Sequence, residues 1–314
     1  MRRFLCIFVL LIAINSVAQA QESRSAKTYL DRGQTRFAQG NLIDAMSDFG
    51  IAITFDPNYA AAYCSRGILR ITQENWSGAV ADFDKAILIN PRFAEAYSNR
   101  GNAHLALGDT GKALADYNAA IKIKSDYADA YFYRGNLLSL KGDLGGAIAD
   151  YSKCIKIAPG LFQCYNNRGN ARSAKGDFDG AIVDYAKAIE INPRNALPYN
   201  GRGNAYQKNS DLVRAMTDYD KAIELDPSFA EAYNGRGLAR RVVGDLDGSL
   251  SDLNWALRIN PNYAEAYLNR GMALWSQGKL DEAKLDFELC LKLNSRLRTL
   301  LEETLNRLQH PSSK

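Results

Sequence analysis

The side chains in this sequence able to move protons, hold metals or attack a carbonyl are few and scattered. The two histidines, His104 and His310, cannot make a cluster with each other. No zinc-type Cys/His spacing, phosphate-cradling glycine loop or nucleophile–base pair occurs. His104 falls on an inward-packing helix position where Tyr206 stands in another copy of the same pattern, which is the setting of a core or half-buried histidine. Acidic groups are more regular: Asp48, Asp82, Asp116, Asp150, Asp184, Asp218, Asp252 and Asp286 recur at one interval. Each has an arginine sixteen residues before it: Arg32, Arg66, Arg100, Arg134, Arg168, Arg202, Arg236 and Arg270. A carboxylate matched to its own guanidinium makes an ion pair and leaves no spare acid or base. The sequence therefore implies no enzyme, no metal and no cofactor.

The elements that position these pairs are seen in the stretch Phe162–Asn195. Tyr165, Gly169 and Arg172 recur at helical spacing, as do Ala181, Tyr185 and Ala188 after them, so two short helices fold back on each other. Gly176-Asp177 supplies a left-handed helix exit followed by a helix-starting carboxylate. Pro193 ends the second helix, since it cannot donate the next backbone hydrogen bond. Gly169 and Ala181 have almost no side chain and let the two helices cross closely.

The same unit recurs eight times at a period of 34 residues with no insertion or deletion, over 26–59, 60–93, 94–127, 128–161, 162–195, 196–229, 230–263 and 264–297. Every copy repeats the glycine, from Gly33 to Gly271, and a tyrosine four residues before it, from Tyr29 to Tyr267. The small residue of the second helix is alanine in seven copies and Ser249 in the other. Proline closes six copies, with Ser125 and Ser295 in the two remaining slots. This pattern resembles the tetratricopeptide repeat. The resemblance implies an all-α, right-handed superhelical solenoid of helix-turn-helix repeats. One departure stands out: where the family pattern has leucine before the glycine, every copy has arginine. In an antiparallel hairpin each arginine and its aspartate lie equally far from the turn, about 12 Å along each helix axis. A repeated, partly buried Arg–Asp pair is expected.

Helical geometry gives each first helix three faces, at about 100° per residue. One meets the second helix. Another, carrying small residues such as Ala130, Ala171 and Ala239, meets the neighbouring repeat. If the resemblance holds, the third lines the concave groove where family members bind extended peptides or helices. Early repeats offer Leu30, Phe37, Ile68, Ile71 and Phe132 on that face. The middle offers Asn102, Asn136, Asn166, Asn170, Asn200, Asn204 and Asn234, and the end offers Leu238, Leu268, Met272 and Trp275. Asparagine carries donors and an acceptor, so such a row either hydrogen-bonds a peptide main chain or simply faces water. It is similar to the asparagine row of O-linked N-acetylglucosamine transferase. The apolar ends read either as anchor pockets or as surfaces covered by the chain's own ends. The lysines with which some family members grip a C-terminal carboxylate are absent from the matching positions.

Met1-Arg2-Arg3, the apolar run Phe4–Ile14 and Ala18-Gln19-Ala20 have the three parts of a secretory signal, 1–20, too short to span a membrane. Its retention as an anchor is the alternative. Residues 21–25 then form a lead-in, 298–309 a C-terminal solvating helix with leucines at helical spacing, and 310–314 a disordered tail. Loss of the signal lowers the formal charge from +4 to +2, which gives no reason to expect nucleic acid as a partner. Of the remaining cysteines, Cys154 and Cys164 stand where other repeats place alanine, and an oxidising compartment makes a disulfide between them an option beside two buried thiols. Cys290 reads as buried filler and Cys64 as a partly exposed thiol. The expectation is an exported, periplasmic or secreted, monomeric scaffold that holds a protein or peptide for an envelope or secretion assembly, with no membrane span after signal cleavage. A self-assembling solenoid and a carbohydrate or wall-fragment binder are the alternatives.

Overall fold

The computed structural model of the chain describes residues 25–309; the signal segment 1–20, most of the lead-in and the tail 310–314 lie outside them. The described residues are helical throughout, joined by tight turns, and contain no strand. They divide into two units, the first ending at Ala158 and the second starting at Pro159. In the first unit α1 covers 25–38. It is followed by α2 (Leu42–Phe55), α3 (Ala60–Thr72), α4 (Trp76–Ile89), α5 (Ala94–Ala106), α6 (Thr110–Ile123), α7 (Ala128–Leu140) and α8 (Leu144–Ile157). The second unit has α9 (Phe162–Ala174), α10 (Phe178–Ile191), α11 (Ala196–Lys208), α12 (Leu212–Leu225) and α13 (Ala230–Val242). It continues through α14 (Leu246–Ile259), α15 (Ala264–Ser276), α16 (Leu280–Leu293) and a 3-10 turn (Ser295–Leu297) to α17 (Arg298–Gln309). Odd-numbered helices up to α15 are the first members of the hairpins, and even-numbered helices the second.

Local chemistry sets these boundaries. Second helices open on a side-chain cap: the Asp177 carboxylate accepts from the Gly180 backbone N–H, and Asn41, Asn75, Asp109, Asp143, Asp211 and Asp245 do the same in their repeats. Lys279 holds that position before α16 and caps nothing. The turn residue before the cap is left-handed, as at Gly176 (φ 84°). Glu74 and Ser210 adopt the same φ without being glycine. Second helices stop at equivalent residues whether proline or serine follows. Asn192, before Pro193, and Lys124, before Ser125, have nearly the same extended backbone. Proline therefore reinforces the ending without being required for it.

Within each hairpin a ring from the second helix lies on the glycine of the first. A Cβ on Gly169 would stand 2.9 Å from Cε1 of Tyr185, and one on Gly101 would stand 2.6 Å from Cε1 of Tyr117. The small residues Ala45, Ala79, Ala113, Ala147, Ala181, Ala215, Ser249 and Ala283 are sealed from solvent. Ala130, Ala171 and Ala239 on the first helices are buried too. Along each unit the first helices pack side by side, α3 with α5 and α5 with α7, then α9 with α11, α11 with α13 and α13 with α15. Neighbouring second helices make no comparable contact.

All eight Arg–Asp pairs form, and each is bidentate. Arg168 places Nε 2.9 Å and Nη2 2.6 Å from the two oxygens of Asp184, and the other repeats match it. The aspartates are buried. Every one of these guanidiniums also lies over the tyrosine three residues before it, at 4.6–5.8 Å from the ring centre. A remaining nitrogen reaches the preceding repeat in several copies: Arg100 donates to Asp84, Arg134 to Asn118, Arg236 to Asp220 and Arg270 to Asn254. Arginine in place of leucine thus ties together a tyrosine, its own hairpin and the neighbouring one. Arg36, Arg70, Arg172 and Arg240 add a second cation to their aspartates, and His104 takes that place beside Asp116, 3.9 Å away.

Cys290 is buried as expected, but Cys64 is not the partly exposed thiol read from its face. It is 2% exposed, packed among Ala79, Phe83 and Ala96, and burial pushes its thiol up, away from reactivity. Cys154 is buried on α8 in the first unit and Cys164 on α9 in the second.

Candidate functional site

Open polar groups concentrate in the second unit. There α9, α11 and α13 present two adjoining clefts, of about 670 Å³ and about 610 Å³. Asn166, Asn170 and Gly201 belong to the first cleft, Asn234, Gly235 and Leu238 to the second. Asn200, Asn204, Lys208 and Glu231 line both, which makes one trough. Two glycines hollow it out. A Cβ on Gly201 would lie 2.6 Å from the Tyr185 ring, and one on Gly235 would lie 2.6 Å from that of Tyr219. The tyrosine tips fill the space a side chain would take at the equivalent position, where Tyr133 stands in the first unit.

Those tyrosines assign a role to four of the seven asparagines in the row. The hydroxyls of Tyr117, Tyr151, Tyr185 and Tyr219 donate to Oδ1 of Asn102, Asn136, Asn170 and Asn204, at 2.7–2.8 Å. Burial raises the pKa of Tyr117, Tyr185 and Tyr219, so these hydroxyls stay protonated and able to donate. Tyr219 also faces Gln207 at 2.7 Å. One hydroxyl carries one proton, so with Asn204 accepting as in the other repeats, Gln207 turns to donate. Asn170 and Asn204 are exposed and direct their amide nitrogens away from the tyrosines. Asn102 also lies near the Tyr133 hydroxyl. Asn234 is spent within the fold, donating to Tyr263 and accepting from Asn269.

Asn166 and Asn200 differ from these. Each has a buried Oδ1 with no hydrogen-bond partner, and Asn166 is 8% exposed as a whole. An unpaired buried acceptor is costly, by about 1–3 kcal/mol. Each sits one helical turn before a tyrosine-bound asparagine, so α9 and α11 both carry a buried, partnerless acceptor followed by an exposed donor.

The expected apolar anchors are largely occupied. Met272 is 2% exposed and lies with Leu268, Phe287 and Leu301, and Trp275 packs on the same cluster. Leu301 and Leu305 of α17 cover that end, so Met272 and Trp275 serve the terminal core and not an open pocket. Ile68 is half-buried beside Cys64 and Phe83, and Phe132 packs against Tyr133 and Tyr151. The pairing of tyrosine with asparagine was legible in the sequence yet missed. Asparagine follows the glycine in the four repeats whose second helix carries tyrosine. Gln34, Ile68, Leu238 and Met272 follow it where Phe49, Phe83, Leu253 and Phe287 stand.

Among the described residues no group of acidic, His or Cys side chains could hold a metal ion, and no helix is long and apolar enough to cross a membrane. Family profiles described as TPR repeat match residues 69–108, 101–142, 169–210 and 243–278, and those described as tetratricopeptide repeat match 128–161, 196–229 and 264–297. The chain belongs to the tetratricopeptide repeat family. No curated protein sequence matches it. Solved structures share its fold: the Cut9-Hcn1 hetero-tetramer of the APC/C aligns with a TM-score of 0.66 at 16% identity, over 89% of this chain and 55% of that one. The chain thus spans about half the length of that relative. A tetratricopeptide repeat protein from Parabacteroides merdae gives 0.58 at 20% identity, over 80% and 99% of the two chains. PilF of Pseudomonas aeruginosa gives 0.60 at 18%, over 66% and 94%.

Proposed function

We propose that this tetratricopeptide repeat protein is a non-enzymatic interaction scaffold that holds an extended segment of a partner protein in the trough over α9, α11 and α13. The observation that carries the reading is the pair of partnerless oxygens on Asn166 and Asn200, each set one turn before an outward-facing amide. A peptide main chain offers an N–H and a C=O at every residue and satisfies both kinds of group whatever its side chains. Alanine at Asn170 is a poor test, because it strands a buried tyrosine hydroxyl. Asn200→Leu removes an amide that makes no hydrogen bond within the described residues and should keep the fold. Crosslinked pull-down from the cell-envelope or secreted fraction should recover a partner with the parent protein and lose it with Asn200→Leu. Equal recovery by both would overturn the reading. Export rests on the character of residues 1–20 alone, and N-terminal sequencing of the purified protein should begin at Gln21.

A further inference from the structure

We propose that Arg241 sets the specificity of this trough by taking a carboxylate from the bound segment, so that the partner is an extended peptide with an Asp or Glu side chain at one fixed place. The proposal rests on the peptide-trough reading and adds the chemistry of the ligand.

Arg241 breaks the rule that the other described arginines of the first helices obey. The eight arginines of the repeated pairs, and Arg36, Arg70, Arg172 and Arg240, all meet an aspartate. The neighbour Arg240 lies 2.9 Å from Asp252. Among the described residues Arg241 has no ion pair, and its Nε is sealed from solvent with no acceptor. Burial alone acts on the guanidinium, holding its pKa below the ordinary value, and no carboxylate among the described residues offsets it.

Its place on α13 sets it at the border of the trough, between Leu238 and Val242, which line the second cleft. Glu231, Asn234 and Leu238 line the second cleft, and Arg241 continues their stripe, three residues beyond Leu238, about 4.5 Å along the axis. Val242, the next residue, lines the same cleft. A position in the last turn favours a cation through the helix dipole, which accounts for the charge but gives Nε no acceptor. A carboxylate meets a guanidinium edge with two parallel hydrogen bonds; at Arg241 the edge left to it is the one between the two Nη atoms, since only Nε is sealed. Lys208, exposed in both clefts and without an ion pair, adds a second cation against the single acid Glu231.

The test is a selection of phage-displayed dodecapeptides on the immobilised full chain, run in parallel on Arg241→Met and on Asn200→Leu. The parent should enrich peptides with Asp or Glu at one register. Arg241→Met should still enrich peptides, without that acid. The best acidic peptide from the parent selection should bind Arg241→Met about tenfold more weakly. Changing its acid to Gln should cost the parent the same factor and cost Arg241→Met nothing further. Without peptide, Arg241→Met should melt no lower than the parent, since the guanidinium has no internal partner to lose. Enrichment without an acid, an acid retained by Arg241→Met, or a lowered melting temperature would each overturn the assignment while leaving the trough intact. Failure of the parent to enrich any peptide that Asn200→Leu does not would overturn both.

Discussion

Asp184 receives two hydrogen bonds from Arg168 and another from Arg172 while 1% exposed, so its charge is held entirely by partners. Asp184→Asn leaves two guanidiniums facing a neutral amide, and chemical denaturation should show a loss of about 3 kcal/mol. By contrast, Lys187→Met removes an exposed pair with Glu190 and should cost less than about 0.5 kcal/mol. Equal effects would mean that the internal pairs behave as surface bridges. The same residues give a pH signature. Hydrogen bonding from Arg32, with Arg36 beside it, holds the Asp48 carboxyl below the usual range. A lowered carboxylate pKa stabilises the fold fully above its unfolded value, near 3.9, and the contribution fades as pH falls through the folded value. The stability advantage of the parent over Asp48→Asn should be constant from pH 7 to about pH 5 and shrink below about pH 4. An advantage that persists unchanged at pH 2 would show that the carboxylate is not what the arginines stabilise.

At the scale of the element, two departures from the repeat should each be improvable. Lys279 stands where seven other second helices have Asn or Asp accepting a backbone N–H, so Lys279→Asp should stabilise α16 by about 1 kcal/mol. Ser210 turns with φ 62°, a conformation that costs an L-residue about 1 kcal/mol and a glycine almost nothing, so Ser210→Gly should raise the melting temperature. Thermal denaturation of both variants checks this, and a lower midpoint in either would mean that local geometry is not what limits these turns. Such elements are legible in a sequence because a cap, a left-handed glycine and a small crossing residue each answer to a neighbour a few residues away. The Arg–Asp pairing was legible for a similar reason: an antiparallel hairpin converts a fixed offset into adjacency. Proline is a weaker signal than these, since α6 and α16 end at the same place before serine.

At the scale of the whole chain, what was hidden in the sequence depends on several helices at once. Periodicity places Asn170 and Asn234 alike on one face, but only the packing shows that Asn234 is spent on Tyr263 and Asn269 while the Asn170 amide is open. Met272 and Trp275 share the groove stripe of their helix, yet α17 folds over them, and one helix's pattern cannot reveal that. The open groups of the trough all lie between α9 and α13, inside the unit Pro159–Lys314. A solenoid gains its stability from neighbouring repeats, and a run of three or more with a capped end suffices. Residues 159–314 hold four hairpins and the α17 cover. This fragment should therefore fold alone, with a helical circular-dichroism spectrum and a cooperative melt below that of the full chain. It should also select the same dodecapeptides as the full chain, because no residue of the trough lies outside it. A fragment that folds but selects none would place essential binding groups before residue 159 and sink the assignment of the site to this unit.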